Sequence, residues 1–298
     1  MRIEKIYFEA EDGVELAGLL HTSEKAEEHE VIISVHGMGS NCLKKRDDII
    51  AKKMTDNGIS YFSFNNRGQG IINTFRKNGE KILQGTVFED VEESYNDIVG
   101  AIKHLKSIGY TSFHIQGHSL GSTKTVYTYN RLKSNNENEI LNSIKSVILL
   151  SLVDLIDVMN YMILSNPETD IVKMATEKEL EGDEDYIIET NTPFMPYVST
   201  RTFLRYYKYN REINFARYSD KTYAFDKLNN INVPLFMRWG NNKELISLPA
   251  DEVVNICKSK INNERSDIDF IDGATHNYIG KEDILAGQIL NFIKSNWL

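Results

Sequence analysis

The pentapeptide Gly117-His118-Ser119-Leu120-Gly121 restricts the fold of this chain more than any other feature of its sequence. It follows an apolar run, Phe113-His114-Ile115, that is typical of a strand, and it precedes a segment, residues 122–132, that is compatible with a helix. A serine at the tip of so sharp a turn adopts a strained backbone, and side chains on either flanking residue would collide with the adjoining strand and helix. The two glycines remove those collisions. The pattern therefore predicts a strand, a tight turn that exposes Ser119, and a helix.

The rest of the chain alternates between strand and helix patterns. A turn signal at Glu11-Asp12-Gly13 joins the first two strands into a hairpin. Because parallel strands need crossover connections, the alternation that follows predicts an α/β fold, with an eight-stranded, mostly parallel sheet and helices on both faces. The predicted strands are 3–8, 14–21, 31–35, 59–64, 112–116, 146–152, 233–238 and 267–271, and the predicted helices are 47–56, 88–107, 122–132, 249–260 and 282–298.

The alternation fails between residues 153 and 230. A stretch this long without secondary structure is improbable inside a compact domain. We therefore expect a mostly helical cap, 153–230, inserted after the sixth strand into a core formed by 1–152 and 231–298.

The cap segment combines an acidic patch, 177–185, with an aromatic-rich run, 203–209. The aromatic run could pack against the core or line a substrate pocket. On the second interpretation, Tyr206 and Tyr207 are the candidate substrate contacts.

The charge balance and the cysteine content narrow the possible partners and the compartment. There are 34 Lys and Arg residues against 43 Asp and Glu residues, a formal net charge of −9. Nucleic acids and anionic membranes are bound through an excess of Lys and Arg, so neither is an expected partner. Cys42 and Cys257 form no C-x-x-C or zinc-ligand pattern, which favours a reducing cytoplasm over a disulfide framework. The charged start of the chain and the lack of an apolar run of roughly 18 residues predict neither export nor stable membrane association.

Four motifs together resemble those of the α/β-hydrolase superfamily, of the serine-hydrolase kind that carries a cap after the sixth strand. The likeness covers nearly the whole chain and implies the α/β-hydrolase fold. One loop departs from the family's usual Asp-x-Arg-Gly-His-Gly pattern, because Asn65 replaces the acid and Gln69 the histidine, both at positions that shape the loop. The motifs are the Ser119 pentapeptide, His36-Gly37-Met38-Gly39 after the third strand, Asn66-Arg67-Gly68-Gln69-Gly70 after the fourth, and Gly273-Ala274-Thr275-His276 after the last.

The resemblance makes Ser119 a candidate nucleophile. A serine hydroxyl is weakly nucleophilic near neutral pH and needs a base that takes its proton and later returns it to the leaving group. His276 is the candidate base because it follows the final strand and is the only histidine in the C-terminal half. Acyl transfer also develops negative charge on the carbonyl oxygen, which backbone N–H groups stabilise. Leu120 and Met38 are the expected donors of this oxyanion hole, although the loop that contains Met38 could also be a plain glycine turn.

The remaining histidines are interpreted as structural or surface residues. None has metal-ligand spacing with a supporting carboxylate, so no metal site is expected. These residues are His21, His29, His36, His104, His114 and His118.

The acid that completes the triad is less clearly marked. Family members commonly carry an aspartate three residues after a glycine at the end of the seventh strand, but here Lys243 occupies that position after Gly240. Glu244 follows at once, and a loop adjustment of one residue would let it serve. The alternatives are Asp154, just beyond the sixth strand, and Asp251, on the following helix.

These residues predict a serine hydrolase that cleaves a small or medium carboxylic ester through an acyl-enzyme intermediate, without a cofactor. Thioester hydrolysis, acyl transfer and aminopeptidase-like activity would use the same triad. A ligand-binding protein on a hydrolase scaffold is the alternative from outside the enzymes.

Overall fold

The eight predicted strands form a single sheet in the computed structural model, which describes residues 1–23, 29–208 and 210–296. In chain order they are β1 (Arg2–Glu9), β2 (Glu15–Thr22), β3 (Glu30–Val35), β4 (Ser60–Asn65), β5 (Ser112–His118), β6 (Ile144–Leu150), β7 (Leu235–Gly240) and β8 (Ser266–Ile271). Their order across the sheet is β1-β2-β4-β3-β5-β6-β7-β8. Strand β2 is antiparallel to β1 and β4, and every other neighbouring pair is parallel. The prediction of an eight-stranded, mostly parallel sheet is confirmed.

Helices cover both faces of this sheet, as predicted. On one face, the helices Ser94–Ser107, Leu120–Ser134 and Ala250–Lys260 pack in the same apolar cluster as Ile33. On the other face, the helices Lys45–Thr55 and Glu282–Ser295 pack in the cluster that contains Ile32. Successive side chains of a strand point to opposite faces of the sheet. A strand buried on both sides therefore carries apolar residues in succession, as Val31-Ile32-Ile33 of β3 do. The helices in the described residues are α1 (Lys45–Thr55), α2 (Ser94–Ser107), α3 (Leu120–Ser134), α4 (Asn138–Ser143), α5 (Leu155–Leu164), α6 (Ile171–Leu180), α7 (Thr200–Tyr207), α8 (Asp226–Asn229), α9 (Ala250–Lys260) and α10 (Glu282–Ser295).

The sequence predicts a helix over 88–107, but in the structure this helix, α2, begins only at Ser94, and the connection from β4 has other secondary structure. It contains a hairpin, Asn73–Lys77 with Glu80–Gln84, and two short 3₁₀ turns, Thr86–Phe88 and Val91–Glu93. The side chain of Asp90 accepts a hydrogen bond from the backbone N–H of Glu92 and so caps the second turn. This local cap delays the start of α2 to Ser94.

The segment between β6 and β7 contains α5, α6 and α7 and a small antiparallel hairpin, Ile187–Glu189 with Tyr197–Ser199. These elements share an apolar cluster of their own that runs as far as Ile213 and also includes Leu120 of the core. From Phe215 to Ile231, the buried apolar side chains belong to the main cluster on one face of the sheet. The division into a core and a 153–230 cap stays a prediction, and the last residue of the aromatic run, 209, lies outside the described residues.

Candidate active site

Ser119 lies in the sharp turn that its flanking glycines predict, between the end of β5 and the start of α3. Its backbone has φ 56° and ψ −127°, a conformation that residues other than glycine seldom adopt. A Cβ atom on Gly117 would lie 2.3 Å from the carbonyl oxygen of Gly121, and one on Gly121 would lie 2.1 Å from the carbonyl oxygen of Val35. The backbone N–H of Ser119 donates to the carbonyl of Leu150 at 2.8 Å, which ties the turn to the end of β6.

The loop after β3 is pressed against this turn. A Cβ atom on Gly37 would lie 2.8 Å from the carbonyl oxygen of His118 and 2.9 Å from Cβ of Ser119, so only glycine fits there. Burial lowers the pKa of His36 to about 3, which keeps its ring neutral. Its Nδ1 then donates to the carbonyl of Gly37 at 2.9 Å, while its Nε2 accepts from the N–H of Asn66 at 3.1 Å. The loop that carries Met38 is therefore fixed beside the serine.

A buried ion pair between Lys124 and Glu89 lies behind the same loop. Lys124 also donates to the side-chain oxygen of Asn66 at 3.1 Å and to the carbonyl of His36 at 3.5 Å. The backbone carbonyl of Glu89 accepts a hydrogen bond from the hydroxyl of Tyr206, on α7, at 3.4 Å. Lys124 and Glu89 thus link the loop after β3 to the segment inserted between β6 and β7.

His276 and Glu244 are joined by a hydrogen bond between Nδ1 of the imidazole and Oε1 of the carboxylate. Oε2 of Glu244 accepts from the N–H of Gly240 at 2.9 Å and from the hydroxyl of Ser151 at 3.0 Å. Burial would raise the pKa of Glu244, but the hydrogen bonds and the charge of His276 outweigh it and lower the pKa. The carboxylate is therefore ionised at neutral pH and acts as an acceptor for Nδ1–H. Lys243, with φ 56°, takes up the extra residue that separates Glu244 from Gly240.

Ser119, His276, Met38 and Leu120 line one cavity of about 370 Å³. A second cavity of about 400 Å³ shares Phe194 and other apolar residues with the first. Across residues 1–23, 29–208 and 210–296, the structure records no hydrogen bond between Ser119 and His276. Nδ1 of His276 is committed to Glu244, and Nε2 is the other nitrogen of the ring.

Comparison with known proteins supports the fold. No protein-family model matches the sequence, and no curated protein sequence matches it. The structure is similar to that of Est1E from Butyrivibrio proteoclasticus with bound ferulic acid, at a TM-score of 0.65 and 14% identity over 98% of each chain. It is also similar to the α/β hydrolase GrgF from Penicillium sp. sh18, at a TM-score of 0.66 and 17% identity over 99% of each chain.

A third similar structure is that of a soluble variant of monoglyceride lipase from Saccharomyces cerevisiae in complex with a substrate analogue. The TM-score is 0.67 and the identity 14%, over 99% of this chain and 96% of that chain. The strand order and the matched length decide the fold. The chain has the α/β-hydrolase fold. The resemblance drawn from the motifs is confirmed at this level.

Three further residues, of which only His118 belongs to a sequence motif, hold the loop that carries His276. The hydroxyl of Ser151 contacts Glu244, the carbonyl of His276 at 3.2 Å and the hydroxyl of Tyr278 at 3.1 Å. Tyr278 in turn donates to the carbonyl of Arg238 at 2.7 Å. Ser151 and Tyr278 have φ values of 49° and 59°, so strained backbone surrounds the site beyond Ser119 itself.

His118 is the third of these residues. Burial and nearby positive charges hold the pKa of His118 well below its usual range, so the ring is neutral. Its Nε2 donates to the carbonyl of His276 at 2.7 Å, and the two rings lie 4.9 Å apart. The second residue of the pentapeptide therefore holds the loop that carries His276.

In the described residues, neither of the two alternative acids contacts His276. Asp154 caps α5 by accepting from the N–H of Ile156 at 3.0 Å, and its carboxylate lies 3.4 Å from the guanidinium of Arg217. Asp251 is exposed in the first turn of α9. Glu244 is the one of the three that contacts His276.

Tyr206 and Tyr207, the candidate substrate contacts, are not among the residues that line this cavity. Tyr206 is fully buried in the cluster shared by α5, α6 and α7, and Tyr207 stacks on Phe203 with ring centroids 5.5 Å apart. Phe203, Tyr206 and Tyr207 are spaced i, i+3 and i+4, which is the signal of a packed helix face. Phe194, Val158 and Leu155 line the cavity instead.

The described residues contain neither a metal-binding cluster nor a membrane-spanning helix. Within that part of the chain, no group of three or more His, Cys, Asp or Glu side chains is close enough to hold a metal ion. None of the helices described there is long and apolar enough to cross a lipid bilayer.

Proposed function

We propose that the protein is a serine hydrolase that cleaves carboxylic esters through an acyl-enzyme intermediate, with Ser119, His276 and Glu244 as its triad. The observation that carries this proposal is the pairing of Glu244 with Nδ1 of His276 beside the cavity that Ser119 lines. A neutral imidazole held in this way presents an unprotonated Nε2, which is what a general base requires.

The reaction divides into two transfers. Oγ of Ser119 attacks the ester carbonyl as its proton passes to Nε2 of His276, and the carbon–oxygen bond to the alcohol then breaks as the alcohol takes that proton. Water attacks the acyl-enzyme, gives a proton to His276 and releases the carboxylic acid as Oγ regains its proton. Glu244 stabilises the imidazolium that forms in each half.

The oxyanion formed in each transfer requires preorganised donors. Leu120 is the first residue of α3, so its N–H lies at the positive end of the helix dipole. A Cβ atom on Gly37 would lie 3.3 Å from the nitrogen of Leu120, which places the Met38 loop directly beside that N–H. We therefore assign the oxyanion hole to the N–H groups of Leu120 and Met38.

The cavity supports a small or medium acyl substrate. Its volume of about 370 Å³ lies near the lower end of the range typical of small-molecule sites. Leu155, Val158 and Phe194 give it an apolar wall that suits an acyl chain. No carboxylate lines it within the described residues, so nothing there would hold the free amine of a peptide, and we do not favour an aminopeptidase. Thioesters share the acyl group and differ in the leaving group.

The proposal is tested by the hydrolysis of 4-nitrophenyl acetate, butanoate and octanoate. We expect turnover by the wild type, and a loss of several orders of magnitude in kcat for both Ser119→Ala and His276→Ala, because triad members act as a unit. Unchanged circular dichroism spectra would show that both variants are folded. A wild type with no turnover but measurable ester binding would support the ligand-binding alternative, and activity retained by either variant would contradict the triad.

A further inference from the structure

The cavity that contains Ser119 has walls of two kinds. The segment between β6 and β7 contributes the apolar side chains of Leu155, Val158 and Phe194. The loop that precedes α1 contributes Ser40 and Lys44. An ester held here would meet an apolar surface on one part and a cationic side chain on another.

Lys44 differs from its neighbours because none of the described acidic side chains forms an ion pair with it. Lys45, the next residue, pairs with Glu282, and Arg46 pairs with Asp47. In the parts of the chain that the structure describes, the backbone carbonyl of Lys44 accepts from the N–H of Asp48 at 3.1 Å, but its side chain forms neither a hydrogen bond nor an ion pair. It is half-buried at the cavity wall in a protein whose formal net charge is −9.

The charge of Lys44 reaches the catalytic end of the cavity. Burial is the main cause of the low pKa of His118, and Lys44 is among the positive charges that lower it further. His36, whose pKa is lowered mainly by burial, also feels Lys44. A cation that acts on both of these residues lies within electrostatic range of a substrate bound at Ser119.

The position of the second cavity suggests which part of the ester Lys44 contacts. That cavity adjoins the first through Val158, Phe194 and Leu245, and it adds Tyr161 and Leu164. These residues give the two cavities a shared apolar wall that an acyl chain can follow, although Asp157, Asn160 and Ser247 also line the second cavity. The leaving group is then directed towards Ser40 and Lys44.

We propose that the preferred substrates are esters with an apolar acyl chain and an anionic leaving group, whose carboxylate or phosphate pairs with Lys44. This inference rests on the proposed ester hydrolysis and narrows its substrate class. A lysine ammonium recognises either anion as a point charge. The carboxylate form is the simpler one to test.

The test compares 3-butanoyloxybenzoate with its uncharged carboxamide, 3-butanoyloxybenzamide, which has the same acyl chain and nearly the same shape. The measured quantity is the ratio of kcat/KM for the anionic ester to that for the neutral ester. For Lys44→Met we expect this ratio to fall about tenfold, the size of one hydrogen bond to a charged group. The change should lie mainly in KM, since Lys44 contacts a part of the substrate that does not react.

Two control variants isolate the charge of Lys44. Lys45→Met removes the neighbouring lysine, whose side chain is 77% exposed, and should leave the ratio unchanged. Lys44→Arg keeps the charge and should preserve most of the ratio. Raising the salt concentration should lower the wild-type ratio and have little effect on that of Lys44→Met.

The outcomes separate the two proposals. A ratio that is the same in the wild type and in Lys44→Met overturns the role of Lys44, while turnover of the carboxamide ester leaves ester hydrolysis standing. If the wild type hydrolyses neither ester nor any 4-nitrophenyl ester, the proposed function fails and this inference fails with it. An equal fall in Lys45→Met would mean that general surface charge, and not Lys44, attracts the anion.

Discussion

Replacing Glu244 by glutamine tests the triad most sharply, because the four donors around this side chain leave an amide no satisfactory orientation. Oε2 accepts from Gly240 and Ser151, and Oε1 accepts from His276 and from the N–H of Leu245 at 3.2 Å. A carboxylate accepts on both sides, but the NH₂ of an amide only donates. If the amide oxygen keeps the bond to Gly240, its NH₂ faces Nδ1 of His276 and selects the tautomer with the proton on Nε2. That tautomer cannot act as a base towards the serine.

The expected loss in Glu244→Gln combines this wrong tautomer with the loss of the charge that stabilises the imidazolium. Neutralising a triad acid without disturbing the geometry lowers kcat by about 10⁴-fold. This factor corresponds to about 5.4 kcal/mol of transition-state stabilisation. The assay is kcat for 4-nitrophenyl butanoate with the melting temperature of each variant measured alongside, and Asp251→Asn, on the exposed first turn of α9, is the matched control. A kcat within tenfold of the wild type in a folded Glu244→Gln variant would refute the reasoning.

Three further predictions concern the helix cap, the oxyanion loop and the inserted segment. Burial raises the pKa of Asp154 in the folded protein to about 6. The protonated carboxyl is therefore compatible with folding below the unfolded pKa, and this contribution to stability is lost as the pH rises through about 6, where the ionised form opposes folding. Asp154→Asn should therefore raise the melting temperature at pH 8 and much less at pH 4, and the gain in the free energy of unfolding at pH 8 should be at most about 3 kcal/mol. Its kcat should stay close to that of the wild type; a crippled kcat would make Asp154 the triad acid. Gly37→Ala should lower kcat about 100-fold, because its Cβ would lie 2.9 Å from Cβ of Ser119 and displace the oxyanion loop; an unchanged kcat would exclude that loop from the reaction. Tyr206→Ala should cost about 3–5 kcal/mol of stability, measured by denaturant unfolding, without changing acyl-chain preference, whereas Phe194→Ala should change that preference; the reverse result would return the tyrosine to the substrate pocket.

The parts of the site that could be predicted from sequence are those whose geometry depends on neighbouring residues. The turn at Ser119 requires glycine on both sides, and that requirement is visible in five residues. Glu244 could be proposed because it immediately follows Lys243, the position where the family's acid was expected.

The parts that sequence did not reveal depend on distant segments that meet only in the folded chain. Ser151 follows β6 and meets His276 only in the folded chain, while Tyr278, two residues after His276, contacts Ser151 and the carbonyl of Arg238, which are both far from it in sequence. The sequence leaves the aromatic run open between packing and a pocket wall, and the helical spacing of Tyr206 within it favours burial. Phe194 lies in an irregular segment of the insert, where no periodic pattern indicates which way a side chain points.

The central claim is that Ser119 is the nucleophile, and mapping the site of a fluorophosphonate adduct tests it most directly. The reagent forms a bond between phosphorus and the attacking oxygen and releases fluoride, so the modified residue identifies the nucleophile. Digestion and mass spectrometry of the labelled wild type should find one adduct, on Ser119, and none in Ser119→Ala. Labelling should be much slower in Glu244→Gln, since the activated serine depends on His276 and its partner. An unlabelled wild type, or an adduct on any other residue, would contradict the account.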